Sequence, residues 1–286
     1  ELSDQWRTAG PPTSGVRSAM AGIPDLGARA EVQAPADYFT VMRERCASMS
    51  GRAFLAGPRI FDENDQRFLP ELATSGLAVE RLAIQADAPL QRCAFLISSG
   101  CVVSREAFAR LGRFDEALFI DHVDTEYCLR ALLRNVPVYV VPSLVLLHRI
   151  GARSRHKLGP LELTTMNHPG FRRYYSARNA MHLALQYGLR LPVAIVPNVL
   201  TLWQIVQILL LEKDKAAKLK AIAQGVFDGF FGRMGPLERT RPRLAANVAR
   251  AANAATVADP AMVTGMSTPE PGARTVARAV SRTWQS

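Results

Sequence analysis

The stretch FLISSGCVVSREAFARLGRFDEALFIDHVDTEYCLRALLRNVPVYVVPSLVLLH, residues 95–148, sets the fold class. With Cys93 and Ala94 before it, its apolar start reads as a strand bounded by the small patch Ser98-Ser99-Gly100. Ser104 is an N-cap for REAFARLG, and Gly112 is the stop. A second helical run, TEYCLRALLRN, follows the acid-rich segment around Asp121, His122 and Asp124. VPVYVVPS and LVLLHR then read as two short strands. Strand and helix alternate, which predicts an α/β domain.

Toward the N-terminus, DYFTVMRERCASM carries apolar residues at Phe39, Met42 and Cys46 and predicts a helix. RAFLAGPRIFD reads as a buried strand ended by a Gly57-Pro58 turn. Residues 1–36 are rich in Gly, Pro, Ala and Ser and predict a loop. The first residue is Glu1, with no charged-then-apolar leader, so no signal peptide is expected. The strand count is low for a complete doubly wound sheet, and an N-terminal part is expected to be missing.

Toward the C-terminus, FRRYYSARNAMHLALQYGLR reads as a helix with Arg on one side. Residues 191–211 carry no charge and approach the length that spans a bilayer. Pro192 and Pro197 interrupt them. Asn198, Thr201, Gln204 and Gln207 recur every three residues and keep a polar stripe on one face. That favours a helix lying in a membrane surface, or packed on protein, over one that spans. A basic amphipathic helix ending at Phe227, Phe230 and Phe231 follows, then a tail with no core-forming pattern. The expected organisation is a loop over 1–36, an α/β part over 37–165, amphipathic helices over 166–238 and a disordered tail over 239–286.

The 286 residues carry a net charge of +10, unevenly placed. Residues 1–148 sum to −3 and residues 149–286 to +13. A basic half points to an anionic partner. Nucleic acid is disfavoured, because no recognition-helix pattern is present and the cations flank apolar helices, as membrane-surface segments do. Solvated surface arginine is the plain alternative. The four cysteines have no CxxC spacing and read as reduced, mostly buried thiols, which fits a cytoplasmic setting.

The chemistry concentrates at Asp121, His122, Asp124 and Glu126. One Asp suffices to cap a helix, a lone His is more often structural, and Glu126 fits an exposed first turn. Together, and with His148 at the end of an apolar run, they form a set able to hold a metal or run acid–base chemistry. Gly100 suits a place where backbone approaches substrate, or a bulge. Arg172, Arg173 and Arg178, with Tyr174, Tyr175 and Asn179, suit a grip on a diphosphate or on sugars, or a basic face against lipid phosphates.

The order and spacing of SSG, the FDEALFIDHVDTEYCLRA segment, HRIG, FRRYYSARN and DGFFGRMG resemble family 2 inverting glycosyltransferases, nearest to bacterial rhamnosyltransferases. The resemblance covers roughly residues 53–235. It implies part of a GT-A fold, a divalent metal (Mn2+ or Mg2+) and a nucleotide diphosphate sugar donor, dTDP-rhamnose. The acceptor is then a glycan or polyprenyl-linked hydroxyl in polysaccharide biosynthesis, and the setting the cytoplasmic face of the inner membrane, peripherally bound. Asp124 falls where the family has its catalytic base, with Val123 in place of a preceding Glu, and Asp121 flanks it as a second catalytic acid. Ser99, Gly100, Glu126, Arg172, Arg173, Tyr175, Arg178 and Asn179 become expected substrate-binding residues. His148 and Asp4 become expected metal ligands. The family's Thr-Tyr-Asn strand is absent, and Trp6 stands where its second metal-binding Asp belongs. A truncated or non-catalytic remnant that binds membrane or glycan is the alternative.

Overall fold

The computed structural model describes residues 35–148 except 64, 76–77 and 86, then 154–158, 161–165 and 168–246. Asp4, nearly all of the expected N-terminal loop and the tail from 247 lie outside the described residues. The chain divides into two compact units, one ending at Gly235 and one beginning at Pro236. The second contains the short helix Leu237–Thr240.

The first unit is built on a mixed sheet. Strand β1 (Leu55–Asp62) is parallel to β7 (Val138–His148) at the centre. Antiparallel to β1 lie β2 (Arg67–Phe68) and β6 (Val102–Val103), and antiparallel to β7 lies β5 (Gln91–Arg92). Two hairpins stand apart from this sheet: β3 (Leu72–Ser75) with β4 (Ala78–Arg81), and β8 (Ser154–Leu158) with β9 (Leu161–Thr165).

Three local expectations change. β1 does not stop at Gly57-Pro58 but runs through them. Gly57 is needed because a Cβ there would collide with Cys101 Sγ. Pro58 is tolerated because the ladder shifts register next to it: Pro58 faces Val141, and Arg59 faces Val145. The same shift leaves Pro142, Ser143 and Leu144 without partners on β1, so the two short strands expected around them are one irregular strand. The strand expected over 93–103 is mostly irregular and ends in a turn in which the Cys101 N–H donates to the Ser98 carbonyl (3.1 Å).

The helices follow their signals more closely. Helix α1 (Pro35–Arg45) buries Met42 against Phe54, Ala56 and Leu144. Helix α2 (Arg105–Leu111) is capped by Ser104 Oγ, which accepts from Ala107 N–H (3.1 Å), and it stops at Gly112 with φ 79°. Helix α3 (Val123–Leu133) buries Tyr127, Cys128, Leu129 and Ala131. Then come α4 (Gly170–Tyr187), α5 (Val196–Leu211) and α6 (Lys215–Phe230). This sheet followed by C-terminal helices fits the partial GT-A fold expected from the sequence.

Small residues let α4 and α6 touch backbone to backbone. A Cβ on Gly225 would lie under 3.0 Å from the Tyr174 carbonyl oxygen, and one on Gly229 equally close to that of Arg178. Gly170 meets Ala221 at 3.7 Å by the same measure. Positions 170, 174 and 178 thus mesh with 221, 225 and 229, a four-residue ridge on each helix.

Candidate active site

The acid-rich segment is bound to α4, and its backbone is strained. Phe119, Asp121 and His122 have φ of 65°, 62° and 61°. They are three of six non-glycine residues with positive φ among the described residues. At Phe119 the turn is a tight γ-turn with the Ile120 N–H donating to the Leu118 carbonyl at 2.8 Å. Each such residue costs on the order of 1–3 kcal/mol, and strain of this kind gathers at functional sites.

Contacts from one face of α4 hold the segment. Arg172 pairs with the Asp121 carboxylate (Nη2 to Oδ1, 3.0 Å; Nε to both oxygens, 3.2 Å). Ser176 Oγ meets His122 Nε2 at 3.4 Å. Asn179 Nδ2 donates to the carbonyls of Leu118 (3.0 Å), Ile120 (2.9 Å) and Asp121 (2.8 Å). Tyr187 Oη donates to Glu126 Oε1 at 2.6 Å. Positions 172, 176, 179 and 187 recur at helical spacing, so one face of a rigid helix makes all four attachments.

Asp124, in the first turn of α3, accepts from the Thr125 N–H (Oδ1, 2.8 Å) and the Ser98 N–H (Oδ2, 3.2 Å). The Ser98-Ser99-Gly100 turn and the acid segment therefore meet at this carboxylate. Gly100 is required there: its φ is 71°, and a Cβ would lie 2.7 Å from Tyr38 Oη. Tyr38 Oη in turn donates to the Gly100 carbonyl at 2.6 Å. Ser99 is half-buried in the same turn.

His122, Asp124 and Thr125 line a cavity of about 380 Å³. Its other walls are largely apolar, with Pro58, Ile60, Leu72, Phe95 and Leu200 among them. Burial lowers the His122 pKa against the pull of Asp121 and Asp124, so the ring is neutral near neutral pH. Burial, then the nearby Asp124, pushes the Cys101 thiol up to about 12 and keeps it protonated. Cavities of about 480 and 620 Å³ lie elsewhere and are lined by none of these acids.

Several expected substrate-binding side chains point inward instead. Arg178 is fully buried and donates to the carbonyls of Ala117, Leu118 and Gly235 and to Asn179 Oδ1. Arg173 is 1% exposed, bound to Glu212 (2.7 Å), which also takes Lys218 (2.8 Å). Glu126 is buried between Arg130 and Tyr187 rather than exposed in a first turn. Tyr175 is buried, its ring 5.1 Å from that of Phe119. Asn179 spends its amide on backbone carbonyls. These five build the site from behind, and a substrate reaches none of their polar atoms without displacing that packing. Arg172 stays partly exposed, its side chain at 37%.

His148 ends β7, beside the fully buried Asp62 in the sheet register. Among the described residues, its buried Nδ1 meets no hydrogen-bond partner. Among the described residues, no three His, Cys, Asp or Glu side chains meet in a group that could hold a metal. The other expected ligand, Asp4, lies outside them. His148 by itself does not complete a metal site.

Neither the Ser98 N–H nor the attachments from Ser176 and Tyr187 stood out in the sequence. The spacing along FRRYYSARNAMHLALQY was the available signal for α4, since it puts 172, 176, 179 and 187 on one stripe.

No family model matches the chain. Over 192 residues it is 32% identical to the dTDP-rhamnosyl transferase RfbF of Shigella flexneri. Over that span the chain is similar to a rhamnosyltransferase-type glycosyltransferase. The alignment covers 66% of this chain and 64% of that relative's length. At this identity two chains share a fold over the aligned span, while each side chain's role is argued from its own surroundings.

Proposed function

We propose that this chain is part of an inverting family 2 glycosyltransferase that moves rhamnose from dTDP-rhamnose to a hydroxyl of a glycan or polyprenyl-linked acceptor. One observation carries the reading: in a relative of a dTDP-rhamnosyl transferase, the Asp124 carboxylate faces a cavity from a helix start, docked on the Ser98 N–H. In this reading the acceptor O–H donates to Asp124. As the acceptor oxygen bonds to the anomeric carbon, the bond from that carbon to the diphosphate oxygen breaks on the opposite face, and the proton passes to Asp124. A helix start gives the carboxylate the fixed position this geometry needs. Asp121, held by Arg172, fixes the approach to that helix. A divalent cation, Mn2+ or Mg2+, would offset charge on the leaving diphosphate, with His148 the described residue proposed to face it. No step above is routed through the cation.

The reading extends to an anionic membrane surface, on the cytoplasmic face of the inner membrane. Helix α5 has its polar stripe turned inward: Asn198 Nδ2 donates to the Ala180 carbonyl (2.8 Å), Thr201 is buried, and Gln204 and Gln207 are half-buried. Leu200, Leu202, Trp203, Leu209 and Leu210 are exposed. Polar-in and apolar-out is the reverse of a helix that faces water. Lys213, Lys215 and Lys220 lie just beyond it and are suited to acidic headgroups.

The test is transfer itself. Full-length protein is incubated with dTDP-rhamnose, a cation and candidate acceptors, and the anomeric configuration of the product is read. Transfer with inversion supports the reading. Retention of configuration, or transfer from other nucleotide sugars alone, overturns it.

A further inference from the structure

We propose that Asn179 is a positioning residue that latches the strained segment under Asp124, and that Arg178 braces it. The amide of Asn179 has two protons, and three carbonyl oxygens lie within 3.0 Å of its nitrogen. Those carbonyls belong to Leu118, Ile120 and Asp121, in the stretch that holds the positive-φ residues Phe119, Asp121 and His122. No carbonyl of a regular helix or strand would converge on one nitrogen this way. The convergence is a product of the left-handed turns, so the amide recognises the strained conformation and stabilises that one alone.

Arg178 acts on the same turn from the other side. Its Nη2 donates to the carbonyls of Ala117 (3.1 Å) and Leu118 (3.0 Å), and its Nε holds Asn179 Oδ1 at 3.0 Å. That last bond settles which end of the Asn179 amide faces the segment. The Leu118 carbonyl therefore accepts from Arg178, Asn179 and the Ile120 N–H together. The segment is tied to α4, α4 is meshed with α6 through Gly225 and Gly229, and Asp124 lies in the first turn of the helix at the segment's end. Without the amide, the segment can relax to ordinary φ values. The first turn of α3 then drifts, and the Asp124 carboxylate leaves the Ser98 N–H.

The test uses the full chain with Asn179→Asp. This change keeps the volume and the bond from Arg178, replaces the donor facing the carbonyls with an acceptor oxygen, and adds a negative charge beside Arg178. Leu144→Ala, in a different core cluster, controls for lost stability. Amide hydrogen exchange across 117–125 should rise about tenfold or more in Asn179→Asp, while strand 55–62 stays protected and the control leaves 117–125 unchanged. Asn179→Ser, whose hydroxyl is too short to reach the three carbonyls and which adds no charge, should raise exchange there as well and serves if the Asp variant does not fold. The kinetic arm rests on Asp124 being the base: turnover should drop about 100-fold, as for a small misplacement of a reacting group, with donor KM little changed. Wild-type exchange across 117–125 in Asn179→Asp or Asn179→Ser overturns the latch. So does a turnover loss that the Leu144→Ala control reproduces. If the unaltered protein transfers no sugar, the functional reading fails while the exchange result still decides the latch.

Discussion

Gly225→Ala sets two magnitudes against each other. In the interior of α6, alanine is favoured over glycine by about 1 kcal/mol in helix propensity. Against this, the new Cβ would fall under 3.0 Å from the Tyr174 carbonyl oxygen, which is backbone on a rigid helix and cannot swing aside. The helices must part by about 1 Å to restore ordinary contact, and overpacking of this kind costs about 1–3 kcal/mol. Parting also stretches the buried bond from Tyr174 Oη to Asp228 Oδ2, now 2.8 Å, which is worth about 1–2 kcal/mol. The net is a loss of about 1–4 kcal/mol, and the sterics win. For a unit of this size, each kcal/mol lowers the melting temperature by about 2–4 °C. Thermal and urea unfolding of the full chain read it directly, with Gly170→Ala as the control on the same interface. There the new Cβ meets Ala221 at 3.7 Å, so that variant should stay within about 0.5 kcal/mol of wild type. If Gly225→Ala proves as stable as wild type, the two helices are not in backbone contact, and the anchoring of α4 must be reconsidered.

Three further outcomes follow from the same surroundings. Burial lowers the pKa of His122, His168 and His182 below the usual histidine value, and His168, beside Arg172 and Arg173, falls to about 4. The unfolded chain takes up these protons first, so their contribution is complete above about pH 6.5 and is lost as pH falls through the folded values. His168→Gln should flatten the fall of melting temperature between those limits, and an unchanged slope would mean that His168 titrates normally. The protein should sediment with anionic vesicles at low salt and be partly released at 1 M salt, where the screening length is about 3 Å, with Trp203→Ser binding more weakly. Resistance to salt until detergent is added would mean that α5 spans the bilayer, and no sedimentation would remove the membrane proposal. His148→Ala should weaken the response of turnover to Mn2+ or Mg2+ more than it lowers the melting temperature; the reverse order would make His148 a packing residue.

Local signals read well wherever a short-range interaction decides the structure. Ser104 and Gly112 bounded α2 because caps act within a few residues. The acid segment stood out because several acids crowd a helix start. What escaped the sequence was set at long range. Arg172 and Arg173 are neighbours, yet one meets Asp121 and the other is buried against Glu212, 39 positions away. Successive helical residues point about 100° apart, and nothing local says which direction α6 will cover. Arg178 and Asn179 looked like ligand-binding groups because Arg and Asn chemistry suits sugars and phosphates equally well as carbonyls. Only the path of residues 117–122, folded back under α4, decides between them. Gly57-Pro58 looked like a stop, because a bulge opposite a proline leaves no mark in the proline's own strand.

Asp124→Asn decides whether Asp124 is the base. The variant keeps size and shape and loses basicity, at the structural cost of one acceptor for the Ser98 or Thr125 N–H. Transfer from dTDP-rhamnose and donor affinity should be measured on the same folded preparation. Turnover should fall by about 10²–10⁴ while donor affinity is largely kept. Turnover close to wild type in a variant that binds donor normally would contradict it and remove Asp124 from the chemistry.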